Sequence, residues 1–104
     1  MMRISTLVLS ATLSLCGGIA AVHAQDVANG ERLSARWCSE CHAIGAVPGN
    51  LKRTPSFAVI AAKQGVTADV IAKFLLMPHA TMPNEPLSPG DAEDIAGFIM
   101  AMKK

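Results

Sequence analysis

The chain has 104 residues, and its nine Lys and Arg against eight Asp and Glu give a formal net charge of +1 at pH 7. This balance, with no run of basic residues, excludes the electrostatic pattern of a nucleic-acid-binding protein. Hydrophobic residues make up 51% of the chain. Because the N-terminal segment inflates that fraction, the composition does not indicate a membrane protein.

The N-terminal segment, residues 1–24, has the parts of a secretory signal peptide. Arg3 provides a short positive region, and Ile4–Val22 is apolar with small residues scattered through it. Val22-His23-Ala24 forms a small-residue cleavage site just before polar Gln25. The sequence therefore predicts export and a mature chain that starts at Gln25.

Two alternatives exist for this segment. An uncleaved anchor is one, because the apolar run is nearly long enough to span a bilayer, but its serines, threonines and glycines weaken that interpretation. Lipoprotein processing at Cys16 is the other, but bulky Leu15 precedes the cysteine where such signals resemble one another in having a small residue. We therefore expect residues 25–104 to form one domain, with Cys38 and Cys41 as its cysteines and no stable membrane insertion.

The mature chain opens with a predicted helix that leads directly into Cys38-Ser39-Glu40-Cys41-His42. The helix is expected over Asp26–Trp37, where Val27, Gly30 and Leu33 are spaced three apart. Two thiols three residues apart, followed at once by an imidazole, form the attachment signature of a c-type haem. The thiols are placed to form thioethers with the two porphyrin vinyl groups, and the imidazole to reach the iron. One covalently bound haem c is therefore the predicted cofactor.

Two other interpretations of a Cys-x-x-Cys pair fit less well. A zinc site needs further ligands, and after Cys41 the chain offers only His42 and His79. A redox-active disulfide is expected near a βαβ pattern, and nothing in this chain alternates like strands. Haem attachment is the interpretation that we adopt.

The rest of the chain predicts helices and loops without strands. Ser56 can cap a helix over Phe57–Gln64, and Thr67 can cap another over Ala68–Leu76, which ends before a proline. The last helix has the clearest start, since an N-cap serine, a proline at the first helical position and an aspartate in the first turn follow one another. These residues are Ser88, Pro89 and Asp91, and the apolar face consists of Ala92, Ile95, Ala96, Ile99 and Met102, widened by Phe98.

The second axial ligand of the iron is expected from the loop Met77–Asn84, which is too rich in proline for a helix. Met82 is our choice, because a thioether favours ferrous iron and raises the reduction potential. His79 is the rival, since a bis-histidine site would satisfy the same coordination at a lower potential. Met77 is a weaker candidate because its default role is core packing, on a helix face with Val70, Ile71, Phe74 and Leu75.

A domain of about 80 residues is near the size at which a core alone is marginally stable. The mature chain has few aromatic residues, namely Trp37, Phe57, Phe74 and Phe98. A large flat apolar cofactor would supply much of the missing core. The apo-protein is therefore expected to be largely unfolded.

At this point the residues resemble a known family, the monohaem class I cytochromes c. The likeness covers nearly all of the mature chain. It rests on Gly30, Leu33, the Cys38–His42 motif, Thr54-Pro55-Ser56-Phe57, Met82-Pro83, Ile95, Phe98 and Ile99. The resemblance implies an all-α, small cytochrome c fold, with the N- and C-terminal helices crossed around a covalently bound haem.

The resemblance also implies roles for single residues. Gly30 would let Phe98 or Ile95 approach its backbone, and the Pro55 carbonyl oxygen would accept the free ring N–H of His42, which fixes that ring. Ser34 is a departure, because many relatives have an aromatic residue at this place in the helix crossing. Trp37 is left between covering a haem edge and packing in the core.

The function that follows is a periplasmic one-electron carrier, a monomer that serves membrane or soluble redox proteins and catalyses no reaction on a substrate. Two alternatives remain open: a haem enzyme or small-molecule binder, if Met82 does not ligate iron, and a haem c subunit dedicated to a dehydrogenase or oxidase. The sequence leaves open the electron donor and acceptor, the reduction potential, and the roles of Lys52 and Arg53, which either pair with haem propionates or form a solvated loop.

Overall fold

The structure is a computed structural model, and it describes residues 17, 25–45, 50–51, 54–77 and 81–104. The predicted signal peptide apart from Gly17, together with Lys52, Arg53 and His79, lies outside the described residues. The elements in chain order are helix α1 at Val27–Trp37, strands β1 at Asn50–Leu51 and β2 at Thr54–Pro55, and helices α2 at Phe57–Ala62, α3 at Ala68–Leu76 and α4 at Pro89–Met100.

Helices α2, α3 and α4 begin at the caps that the sequence predicts, whereas α1 begins one residue later than expected, with Asp26 as its cap. The hydroxyls of Ser56, Thr67 and Ser88 accept hydrogen bonds from backbone N–H groups three residues later, which satisfies donors that a helix start leaves unpaired. At α4 the bonding is reciprocal, because the Asp91 carboxylate also accepts the N–H of Ser88. Helix α2 is shorter than expected, ending at Ala62 instead of Gln64.

One prediction about secondary structure is wrong. Strands β1 and β2 form a small antiparallel ladder in which Asn50 pairs with Pro55 and Leu51 with Thr54. Two residues a strand are too short to produce an alternating pattern, so the sequence carries no signal for them. The ladder does not change the fold class, and the all-α prediction is confirmed.

Helix α4 is the centre of the fold and packs against α1, α2 and α3. It approaches α1 closely at Gly30, where a Cβ atom would lie 2.0 Å from the carbonyl oxygen of Asp94 and 2.9 Å from Cβ of Phe98. No side chain larger than hydrogen fits there. The expected close approach of the last helix at Gly30 is therefore present.

A buried carboxylate completes the contact between α1 and α4. Asp94 is only 5% exposed. Its Oδ1 accepts the backbone N–H of Asp26 at 2.8 Å, and its Oδ2 accepts a side-chain N–H of Asn29 at 2.8 Å. Asp26 in turn caps α1 by accepting the Asn29 backbone N–H. Charge-assisted bonds thus fasten the start of the first helix to the last.

The core lies around α4 and is small. Its buried apolar members are Phe57, Ala61, Ile71, Ala72, Ala92, Ile95, Ala96 and Ile99. Ile95 is completely buried, and so is Ser34 on α1. In the part of the chain that the structure describes, no helix is both long enough and apolar enough to cross a membrane.

Candidate haem-attachment site

The Cys38–His42 segment forms a compact turn at the end of α1. Cys38 caps the helix by donating its N–H to Ser34 O at 2.8 Å, and its own carbonyl oxygen accepts the N–H groups of Cys41 at 3.2 Å and His42 at 2.9 Å. The side chain of Ser39 adds a bond to Ala35 O at 2.6 Å. Backbone hydrogen bonds therefore hold both thiols and the imidazole in one turn.

The two thiols are free and differ in their surroundings. Cys41 is exposed and Cys38 is partly buried. Burial raises the pKa of the Cys38 thiol to about 11, and the nearby Glu85 carboxylate adds to the increase. The proximity of Ser34 offsets part of this increase in the pKa of Cys38. Even so, Ser34 Oγ has no hydrogen-bond partner among the described residues.

The influence of Glu85 on Cys38 also locates the segment after Met82. Residues 81–88 are not helical, and a carboxylate can act on a thiol in this way only from close by. Leu87 anchors the segment by packing against the core, and its N–H donates to Glu85 O at 2.8 Å. Glu85, three residues after Met82, therefore lies near the Cys38–His42 turn.

His42 is held from behind by the backbone of β2. Its Nδ1 lies 2.6 Å from the carbonyl oxygen of Pro55. A carbonyl oxygen only accepts, so Nδ1 carries a proton, and in the neutral ring Nε2 then has the lone pair that can bind a metal. The contact fixes the orientation of the ring.

Aromatic contacts connect His42 to the core. Its ring centroid lies 5.4 Å from that of Phe57, and Phe57 makes an edge-on contact with Phe98 of α4 at 6.1 Å. The Phe57 backbone N–H also donates to Ala43 O at 2.9 Å. The position of His42 is thus set by the start of α2 and by α4, in addition to its own turn.

The methionine candidates for the second axial ligand differ in how exposed their side chains are. Met82 is partly buried. Met77 is 54% exposed, so the expectation that it packs in the core is wrong. The face predicted for α3 is also divided, because Ile71 and Leu75 pack in or against the core while Val70 and Phe74 are 50% and 46% exposed. Met102 packs against the core as expected, and so does Met100.

Two neighbours of the turn were not found by sequence reasoning. The guanidinium of Arg36 lies 4.7 Å from the centroid of the Trp37 ring, a cation–π contact. Glu85 acts on Cys38 across a long sequence separation. Adjacency of Arg36 and Trp37 is a weak signal for the first contact, and no local pattern indicates the second.

The residues present fit a covalently attached haem. Two free thiols and a histidine with an available Nε2 occupy one turn, and the other ring nitrogen of the histidine is already bonded. Among the residues that the structure describes, no group of three or more His, Cys, Asp and Glu side chains is placed to hold a metal ion. The described residues therefore offer no set of ligands for a zinc ion.

Comparison with known proteins gives two matches. Residues 25–99 match the family described as cytochrome c oxidase, cbb3-type, subunit III. The chain is also 36% identical to cytochrome c-552 of Bradyrhizobium diazoefficiens over 93 residues, which cover 88% of each chain. No solved structure gives a significant match. Together with the Cys-x-x-Cys-His turn, these matches show that the chain belongs to the cytochrome c family, with covalently bound haem c as its cofactor.

Proposed function

We propose that this protein is a periplasmic one-electron carrier whose haem is attached to Cys38 and Cys41 and ligated axially by His42 and Met82. The observation that carries the proposal is the contact of 2.6 Å between His42 Nδ1 and Pro55 O. A histidine that ligates a metal commonly donates its other ring N–H to a carbonyl or carboxylate. When bound, the haem supplies one-electron transfer by changing the oxidation state of its iron.

The turn positions the groups that hold the cofactor. Cys38 and Cys41 would hold the haem through thioether bonds to its two vinyl groups. The hydrogen bonds of Cys41 and His42 to Cys38 O keep the three side chains in one turn, where all three would reach the same haem. His42 presents Nε2, because Pro55 O holds the proton on Nδ1.

Met82 is proposed as the second axial ligand. Its support is the partial burial of its side chain and the course of residues 81–88, whose Glu85 acts on Cys38. A thioether ligand favours the reduced iron and raises the potential. His79 stays the alternative that the experiment below separates.

Export is part of the same proposal. Residues 1–24 are proposed to be a signal peptide cleaved after Ala24, which leaves residues 25–104 as the mature cytochrome domain. The family match begins at residue 25, at the proposed start of the mature chain. The mature protein is proposed to act as a monomer on membrane or soluble redox proteins.

The axial ligand is tested by the optical spectrum of the ferric holoprotein. Methionine ligation is expected to give a weak far-red charge-transfer band, and Met82→Ala is expected to abolish it while the haem stays attached. Met77→Ala is the matched control, because this exposed methionine lies at the other end of the same loop. A band that is missing from the native protein, or that survives Met82→Ala, contradicts the assignment.

A second candidate function is an electron-transfer subunit of an oxidase. It is favoured by the matched family, whose description names a subunit of a cbb3-type oxidase. The name of the relative, cytochrome c-552, does not mention an oxidase subunit. Gentle purification separates the two functions, because a carrier is expected as a free monomer and a subunit in constant association with a larger enzyme.

A further inference from the structure

The residue after the proposed signal cleavage site has a defined place in the fold. Gln25 immediately precedes the α1 cap and is exposed. A Cβ built at Gly97 of α4 would lie 2.9 Å from both Cβ and Oε1 of Gln25 and 3.3 Å from its Cδ. The absence of a side chain at Gly97 therefore lets the Gln25 side chain rest on the backbone of α4.

An N-terminal glutamine can react with itself. Its α-amine attacks Cδ of its own carboxamide, the N–Cδ bond forms, the Cδ–Nε2 bond breaks and ammonia leaves. The product is a five-membered lactam, pyroglutamate. The reaction is intramolecular, so the two reacting groups are always close, and no oxidant, reductant or second substrate is needed.

We infer that the mature chain begins with pyroglutamate at residue 25, formed from Gln25 after cleavage and packed on Gly97. The inference rests on the proposed processing of the chain. The contact with α4 is compatible with the product, because the Gln25 atoms that a Cβ at Gly97 would approach most closely are Cβ, Cδ and Oε1. All three are kept in the lactam, while Nε2, the atom that leaves, is not among them.

The bonds that fasten the start of α1 are also compatible with the lactam. Asp26 donates its backbone N–H to Asp94 Oδ1, and its side chain caps α1. Ring closure uses the amine of residue 25 and leaves the peptide N–H of Asp26 unchanged. Cyclisation therefore removes the terminal positive charge near the N-terminus of α1, where the helix dipole disfavours it, without breaking the contact to α4.

The experiment is mass spectrometry of the N-terminal peptide of holoprotein, taken from cells lysed directly into acid to prevent later cyclisation. We expect a peptide that starts at residue 25, is lighter by one ammonia, and resists aminopeptidase until pyroglutamyl aminopeptidase has acted. Gln25→Glu is the control, because a carboxylate cyclises far more slowly and should leave a free amine. A native peptide that keeps intact glutamine overturns the inference and leaves the cleavage site standing.

A peptide that starts elsewhere overturns both the inference and the cleavage site, while the haem mass on the Cys38–Cys41 peptide reports separately on the electron-carrier function. The packing of residue 25 on Gly97 is tested separately by Gly97→Ala. The added methyl group would displace residue 25 at its Cβ as well as at its carboxamide, and because residue 25 is exposed, the variant should fold with haem attached. Hydrogen exchange at the Asp26 amide should become about tenfold faster as the local opening free energy falls. Unchanged exchange overturns the packing on Gly97.

Discussion

Two regions of the molecule, the α1–α4 contact and the Cys38–His42 turn, differ in one respect. In the first, the buried carboxylate has partners within the protein, and in the second, several groups that can bind a cofactor do not. At the helix contact, Gly30 meets the Asp94 backbone directly, and the Asp94 carboxylate has bonds to both of its oxygens. In the turn, two thiols are free, and the bond at His42 Nδ1 leaves Nε2 available. The helix contact is built from protein alone, whereas the turn is built to hold a further group.

The two regions therefore have different roles in the fold. Backbone hydrogen bonds and the core around α4 fix the position of the turn. The two thiols and the imidazole Nε2 of the turn obtain their partners only when the cofactor is bound. A small core leaves little stability to spare, so we expect the region that depends on the cofactor to limit the stability of the whole domain. The following predictions test that expectation, from the largest effect to the smallest.

Loss of the cofactor should have the largest effect. Replacing both thiols, Cys38→Ala with Cys41→Ala, prevents covalent attachment, and the exported protein is expected to lose its cooperative helical melt because the small core cannot offset the ordering entropy. Circular dichroism measures this. Hydrogen exchange then compares the two regions, and a native-like helical melt without haem would show that the helix contact is sufficient by itself.

Gly30→Ala should be the most damaging change to the helix contact. Its methyl group would lie 2.0 Å from the Asp94 carbonyl oxygen, a backbone atom that cannot rotate away. We expect the free energy of unfolding to fall by about 3 kcal/mol, as overpacking of a close contact does. Urea denaturation of the holoprotein measures it. Gly45→Ala is the matched control, because a Cβ there meets nothing within 4 Å, and an equal loss in the two variants would contradict the argument.

Asp94→Asn should weaken the same contact by a smaller amount. The amide that replaces the carboxylate brings an NH2 group toward one of two donors, the Asp26 N–H or the Asn29 side chain. A part-buried donor left without a partner is expected to cost about 1 to 2 kcal/mol. Asp69→Asn is the control, because Asp69 pairs with Lys73 at the surface, where both side chains are 73% exposed, and such a pair contributes less than about 1 kcal/mol. Similar losses in both would argue against a special role for Asp94.

Ser34→Ala should have the smallest effect, and in the opposite direction. Ser34 is completely buried, and its Oγ has no hydrogen-bond partner in the described residues. Removing an unsatisfied hydroxyl is expected to stabilise the holoprotein by up to about 1 kcal/mol. Thermal unfolding measures the change. Ser39→Ala, which removes the bond to Ala35 O, serves as a control that should be neutral or destabilising, and a clear destabilisation by Ser34→Ala would show that its hydroxyl has a partner.

Local signals in the sequence predicted much of this molecule. Ser56, Thr67 and Ser88 each act within three residues of their own position, so their caps could be identified without the fold. The Cys-x-x-Cys-His turn is local in the same way. The distant contacts at Gly30 and Pro55 were expected from the family resemblance and not from any local pattern, and the bonds of Asp94 were missed. Asp94 holds groups 68 and 65 residues away.

The division of the α3 face has a similar origin. Val70 and Phe74 are apolar and fall at helical spacing with Ile71 and Leu75, so they were assigned to one face. Which side of a wide apolar stripe is covered depends on the angle at which the helix meets its neighbour, and spacing does not contain that angle. The exposed fractions of Val70 and Phe74 could therefore be learned only from the fold.

The contact between Pro55 and His42 has a consequence for how the site tolerates mutation. The group that accepts the ring proton is a main-chain carbonyl, so it belongs to the course of the chain and not to any side chain. A substitution at position 55 that keeps the β1–β2 ladder leaves the acceptor in place. The orientation of the imidazole is thus inherited from backbone shape, and sequences can drift at position 55 while the histidine keeps the same proton on the same nitrogen.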